Sequence, residues 1–195
     1  MDDPERFGEL LRSLYERNDE ALRARFQRSL SFQDGAFDRW ERARRLGFGE
    51  GASIYNSALV FGDVTVGRHT WIGPWTILDG SAAPLRIGDH CSISAGVHLY
   101  THNTVHWALS GGVAPKRGGP ISVADCVYLG PQSIVTLGVS IGRQCLVGAN
   151  AFVNRSLQPR SVVAGSPARL VGKVVGEGAS VAVEFDQATS HPPHE

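Results

Sequence analysis

The sequence predicts an all-β core: a single-stranded, left-handed parallel β-helix with an N-terminal helical cap and one loop extruded from the coil. Three observations carry that prediction. Aliphatic residues recur every six positions at Val60, Val66 and Ile72, with Phe48 and Ile54 extending the series backward. The step returns at Ile87, Ile93 and Leu99, then runs unbroken through Val123, Leu129, Val135, Ile141, Val147 and Val153. Glycine follows the aliphatic residue at Gly67, Gly73, Gly88, Gly130, Gly142 and Gly148. Four places after it stand small or β-branched residues: Val64, Thr70, Thr76, Cys91, Val97, Val127, Ser133, Val139, Cys145 and Ala151.

A step of six matches neither the helical period of about 3.6 nor the strand period of 2. It matches a short strand and a turn, repeated, with one aliphatic residue per strand pointing inward. Three such units close a triangular coil, and stacked coils bury a column of Val, Ile and Leu. The glycines are expected to permit unusual turn dihedrals.

Residues 1–47 read as the cap. Leu10, Leu11, Leu14, Tyr15, Leu22 and Phe26 recur at helical spacing within a helix expected over 4–30. A second helix is expected from Phe37 to Leu46, stopped by Gly47. Both should cover the open end of the coil, whose strand edges need protection. The coil itself is expected over 48–175. Its count slips from six to nine between Leu78 and Ile87, so Gly80 to Pro84 hold about three extra residues at one corner. Between Leu99 and Val123 the apolar phase disappears, and the Gly- and Pro-rich stretch 103–120 reads as the extruded loop. Pro159 and Pro167 should end the coil, with the following segment crossing the stack. Residues 176–195 supply a C-terminal strand and a flexible tail.

Lysine plus arginine and aspartate plus glutamate both number 19, so the overall field steers the chain toward neither nucleic acid nor membrane. No apolar run reaches the length of a spanning helix, and the acidic, polar start is unlike a signal peptide, so a cytoplasmic location is expected. Cys91, Cys126 and Cys145 form no CxxC pair and read as packing residues.

Seven histidines are then sorted by position. His191 and His194 fall in the tail, and His69 and His90 in polar turns. His98, His102 and His106 lie at the root of the loop. His102 stands where strand becomes loop, so a rigid coil can hold its ring against a cleft, and an imidazole suits proton removal near neutral pH.

The hexads, the Tyr100-Thr101-His102-Asn103 segment opening a long loop, and the ending Ser161 to Lys173 resemble the hexapeptide acyltransferases. The branch resembled contains maltose and galactoside O-acetyltransferases and polysaccharide-biosynthesis acetyltransferases, over roughly residues 50–175. The resemblance implies acetyl-coenzyme A as acyl donor and a sugar or nucleotide-linked sugar as acceptor, attacked directly with His102 as general base. It also implies a homotrimer with the coenzyme in a groove between subunits. Tyr128 would wall that groove, backbone near Gly130, Ala149 and Asn154 would bond the pantetheine arm, and Arg169 and Lys173 would meet the phosphates. One departure concerns the acceptor. Where such enzymes tend to carry an asparagine, this chain has Pro74-Trp75. Trp75 and Trp107 can stack on a sugar or a base, or simply pack; Asp79 can bind the acceptor or serve its turn. No metal site is expected. Two alternatives stay open: a γ-carbonic-anhydrase-like metalloenzyme using His98, His102 and His106, and a non-catalytic β-helix scaffold.

Overall fold

The computed structural model describes residues 3–186; the tail with His191 and His194 lies outside the described residues. The hexads build a parallel β-helix. On its first face Ser53–Ile54, Trp71–Ile72, Ser92–Ile93, Tyr128–Leu129, Leu146–Val147 and Ser161–Ala164 stack in that order. The second face carries the start of Leu59–Val66, the start of Ile77–Ile87, then His98–Tyr100, Ile134–Val135 and Phe152–Val153. The third carries the ends of those two long strands, then Ile121–Val123 and Ser140–Ile141.

Both predicted columns point inward. Ile54, Ile72, Leu78, Ile93, Leu99, Leu129, Val135, Val147 and Val153 are fully buried, and so are Thr76, Val97 and Ser133 four places after an aliphatic. Each large aliphatic removed from water contributes about 1.5–3 kcal/mol, which makes the column the main stabilising feature. Cys91 and Cys145 are buried in it, and burial pushes both thiols above their ordinary pKa, as packing residues require.

The glycines act differently from the expectation. Left-handed backbone falls two places beyond them, on His69, Trp75, His90, Gln132, Gln144 and Asn150, and on Cys126 in the matching turn where Ala124 replaces the glycine. Gly73 has no such dihedral. A Cβ there would stand 2.7 Å from the backbone nitrogen of Ala95 in the next coil. Close stacking of turns, not φ, excludes a side chain. Gly73→Ala is therefore expected to cost about 1–3 kcal/mol, as overpacking does. A lower urea midpoint would show it, and an unchanged midpoint would mean that the turns can separate.

The helical part also departs from expectation. The helix α1 spans Pro4–Phe26, capped by Asp3, and α2 (Phe32–Ala36) and α3 (Arg39–Arg45) replace the single second helix. The coil end is met by α3 and, through Asp34, which accepts the Ser57 N–H, by α2. Ala43 is buried there, and Arg42 donates to the carbonyls of Tyr55 and Ala58. The helix α1 leans on α2 through Tyr15, whose hydroxyl donates to the Leu30 carbonyl and whose ring meets Phe32. It has no buried residue, and its stripe is open at Leu10, Leu11 and Phe26.

At the other end Pro159 does not stop the coil. Ser161–Ala164 still stacks in parallel on Leu146–Val147 with Val163 buried. The chain then reverses, and Arg169–Val175 and Ala182–Phe185 add two antiparallel strands.

Candidate active site

Partners in successive coils are 18 residues apart where the count is regular, as Ser53 with Trp71 and Tyr128 with Leu146. The offset is 21 for Ile77 with His98 and 36 for Ser92 with Tyr128. Two insertions cause this, and both meet at one corner. The long one is an arm: His102–Asn103, a short helix α4 (Val105–Leu109), and Arg117–Gly118 returning antiparallel, with His102 opposite Gly118. The short one contains Ser81 and Ala82, and a Cβ on Gly118 would lie 3.3 Å from that of Ala82. The arm is thus rooted on the three-residue insertion. Backbone bonds lock the root, since Thr101 donates to the Asp79 carbonyl and accepts from Gly119.

His102 and Asp79 come together there. Nδ1 of His102 lies 2.9 Å from Oδ2 of Asp79, whose side chain is 6% exposed. The other carboxylate oxygen accepts the backbone N–H of Ser81 at 2.9 Å, so both oxygens are oriented. The Ser81 hydroxyl stands 3.5 Å from the same Nδ1. A carboxylate only accepts, so in the neutral ring the proton sits on Nδ1 and the lone pair on Nε2. Nε2 has no partner among the described residues, and the His102 side chain is about one-third exposed. The corner therefore presents the Nε2 edge of a fixed imidazole to solvent. Of the two roles the sequence offers Asp79, the bond from Ser81 fits the turn, while the other carboxylate oxygen faces His102.

Beside this pair, the Tyr100 hydroxyl lies 3.3 Å from Nδ1 of His98. Burial, reinforced by the Asp79 charge, pushes the Tyr100 phenol above its usual pKa. Sequence reading missed both this pair and Ser81; the slip in count after Leu78 was the one signal. His106 sits on exposed α4, and His98 is turned to Tyr100, so the three histidines do not converge on one point. Among the described residues no group of three His, Cys, Asp or Glu side chains could hold a metal ion.

The other expected site residues lie elsewhere. Trp75 is 64% exposed at the corner between the first two faces, in a cleft with His98, Gln132, Ile134 and Asn150. Trp107 lies on the arm. Tyr128 stands on the first face in a groove with Cys126, Arg143, Leu146, Val174 and Val183. Gly130 is buried and its N–H is given to the Val147 carbonyl, so that donor is not free for a ligand. Ala149 and Asn154 are exposed at two different corners. Arg169 donates to the adjacent Ala168 carbonyl, and Lys173 pairs with Glu184 at 3.3 Å. The Lys173 pair lies on the surface, where it contributes at most about 1 kcal/mol.

The chain is similar in sequence and fold to acyltransferases from several sources. No family model matches the chain. A Schizosaccharomyces pombe protein provisionally named as an acetyltransferase is 34% identical over 104 residues, 52% of this chain and 48% of its own. A Staphylococcus aureus 2,3,4,5-tetrahydropyridine-2,6-dicarboxylate N-acetyltransferase is 32% identical over 63 residues, 32% of this chain and 26% of its own. The match thus spans half or less of these relatives' length. Among solved structures, a hexapeptide-repeat-containing acetyltransferase of Vibrio cholerae is 26% identical with a TM-score of 0.61, covering 85% of this chain and 91% of that one. AntD, a Bacillus cereus N-acyltransferase solved with dTDP and 3-hydroxybutyryl-CoA, shares the fold at 24% identity and a TM-score of 0.58, covering 69% of this chain and 89% of that one.

Proposed function

We propose that the chain is a coenzyme A-dependent O- or N-acetyltransferase acting on a sugar or nucleotide-linked sugar in surface-polysaccharide synthesis. The observation that carries this reading is the meeting of both insertions at His102 and Asp79. The named acetyltransferases among the relatives support it, as does the solved Vibrio cholerae protein. Three strands per 18-residue turn support a left-handed coil, as the hexad spacing predicts.

In the proposed step an acceptor hydroxyl or amine attacks the thioester carbonyl of acetyl-coenzyme A while Nε2 of His102 takes its proton. The tetrahedral intermediate then collapses, the C–S bond breaks, and the departing thiolate recovers that proton from the imidazolium. No acyl-enzyme is needed, because a thioester is already activated. Asp79 acts through His102 by fixing its tautomer and stabilising its charged form.

A homotrimer is part of the proposal. The second face turns Leu59, Phe61, Ile77, Ile134 and Phe152 outward, with His98 the one titratable side chain in the row of Leu59, Ile77, Ile134 and Phe152, and it adjoins the His102 corner. An apolar face of this kind favours a partner. A neighbour there would also place a second coil beside His102, which does not line the Tyr128 groove of its own chain. No helix among the described residues is long and apolar enough to cross a membrane. A cytoplasmic location fits soluble nucleotide-sugar acceptors.

Incubating the protein with acetyl-coenzyme A and a panel of neutral and amino nucleotide-sugars tests the function. Mass spectrometry is expected to find one acetylated sugar with one free thiol released per transfer. Coenzyme binding with no product across the panel would favour a scaffold.

A further inference from the structure

The arm that carries His102 has a composition of its own. From His102 to Gly119 it holds no carboxylate, while Lys116 and Arg117 stand side by side where the arm returns to the coil. Neither forms an ion pair with a described residue, whereas Arg68, Arg86, Arg160 and Lys173 all have one. The Lys116 ammonium lies 5.9 Å from the centre of the Trp107 ring, at the outer reach of a cation–π contact. Gly112 comes up beside that indole with φ +88, where an added Cβ would lie 3.7 Å from three of its ring atoms. Trp107 is nevertheless 46% exposed. Arg117 is opposite Asn103, one residue beyond the proposed base.

We propose that this arm is a nucleotide clamp, in which Trp107 stacks on a base while Lys116 and Arg117 neutralise the adjoining phosphates. An exposed indole with Lys116 beside it and Arg117 next along the arm suits an aromatic base joined to an anion, because stacking and charge neutralisation then act on one ligand. Two nucleotides meet that description under the acyl-transfer reading, on which the choice of ligands rests: the adenosine end of coenzyme A, and the nucleoside diphosphate of the acceptor.

The test is calorimetric titration of the full chain with coenzyme A and, separately, with thymidine diphosphate. Wild type is compared with Trp107→Ala and with the double variant Lys116→Ala/Arg117→Ala. All three side chains are exposed, so thermal melting should match wild type. Each variant is expected to weaken at least one probe by about tenfold or more, with a shallower salt dependence in the double variant. Loss with coenzyme A alone assigns the clamp to the donor; loss with thymidine diphosphate alone assigns it to the acceptor. Both variants binding both probes within about twofold of wild type would overturn the clamp, as would a wild type that binds neither. Acetyl transfer is measured in parallel. Transfer with unaltered variant affinities removes the clamp and keeps the transferase, while weakened affinities without transfer do the reverse.

Discussion

His102→Ala is expected to lower acetyl-transfer turnover by about two to four orders of magnitude, the usual contribution of a general base. Affinity for coenzyme A should stay near the wild-type value, because Nε2 is assigned to the acceptor's proton. Folding should survive. The ring is partly exposed, and the arm root is held by the backbone bonds of Thr101 and by the pairing with Gly118 rather than by the imidazole. Steady-state kinetics with titration of the coenzyme checks both halves. Turnover like that of wild type would take His102 out of the mechanism and leave the coil without an assigned base.

Asp79→Asn is expected to produce the next largest loss. The amide nearly matches the carboxylate in shape and can still accept from Nδ1–H, so the tautomer can persist. What disappears is the negative charge facing the imidazolium formed during attack. Hydrogen bonds to charged groups are worth about 1.5–3 kcal/mol, so kcat should fall by roughly ten- to a hundredfold. KM for acetyl-coenzyme A should not change, nor should the melting temperature by more than a few degrees. That split separates positioning from structure, because a purely structural role would cost stability and leave the folded fraction fully active. Asp79→Glu should recover part of the rate if its longer arm can reach Nδ1.

Much of the coil was legible because a triangular stack uses one inward aliphatic per strand, so spacing maps directly onto burial. Leu85 and Ile121 escaped the count although fully buried. Each lies two places before a counted residue, in a strand longer than the usual pair. The glycines were legible as a pattern but not as a cause, since the clash that excludes a Cβ comes from the next coil. Exposed α1 shows the limit of periodicity, which finds an apolar stripe without saying what covers it.

The site was legible to the extent that it interrupted the repeat. His102 was found because the apolar phase vanishes after Leu99. The partnership with Asp79 depends on register. A regular offset of 18 would set Pro84 beneath His102, whereas the three extra residues put Ser81 there and Asp79 opposite Tyr100. No residue type signals that shift. The engagement of Lys173 with Glu184 was equally hidden, because it depends on an antiparallel strand at the chain's end.

The most direct measurement is a crystal structure of the assembled protein with coenzyme A and an acetylatable sugar acceptor. Nε2 of His102 should lie about 2.6–3.2 Å from the reacting hydroxyl or amine, with Nδ1 still on Asp79 and the thiol end of the coenzyme in the same cleft. A coenzyme seated on a face that His102 does not reach would contradict the account.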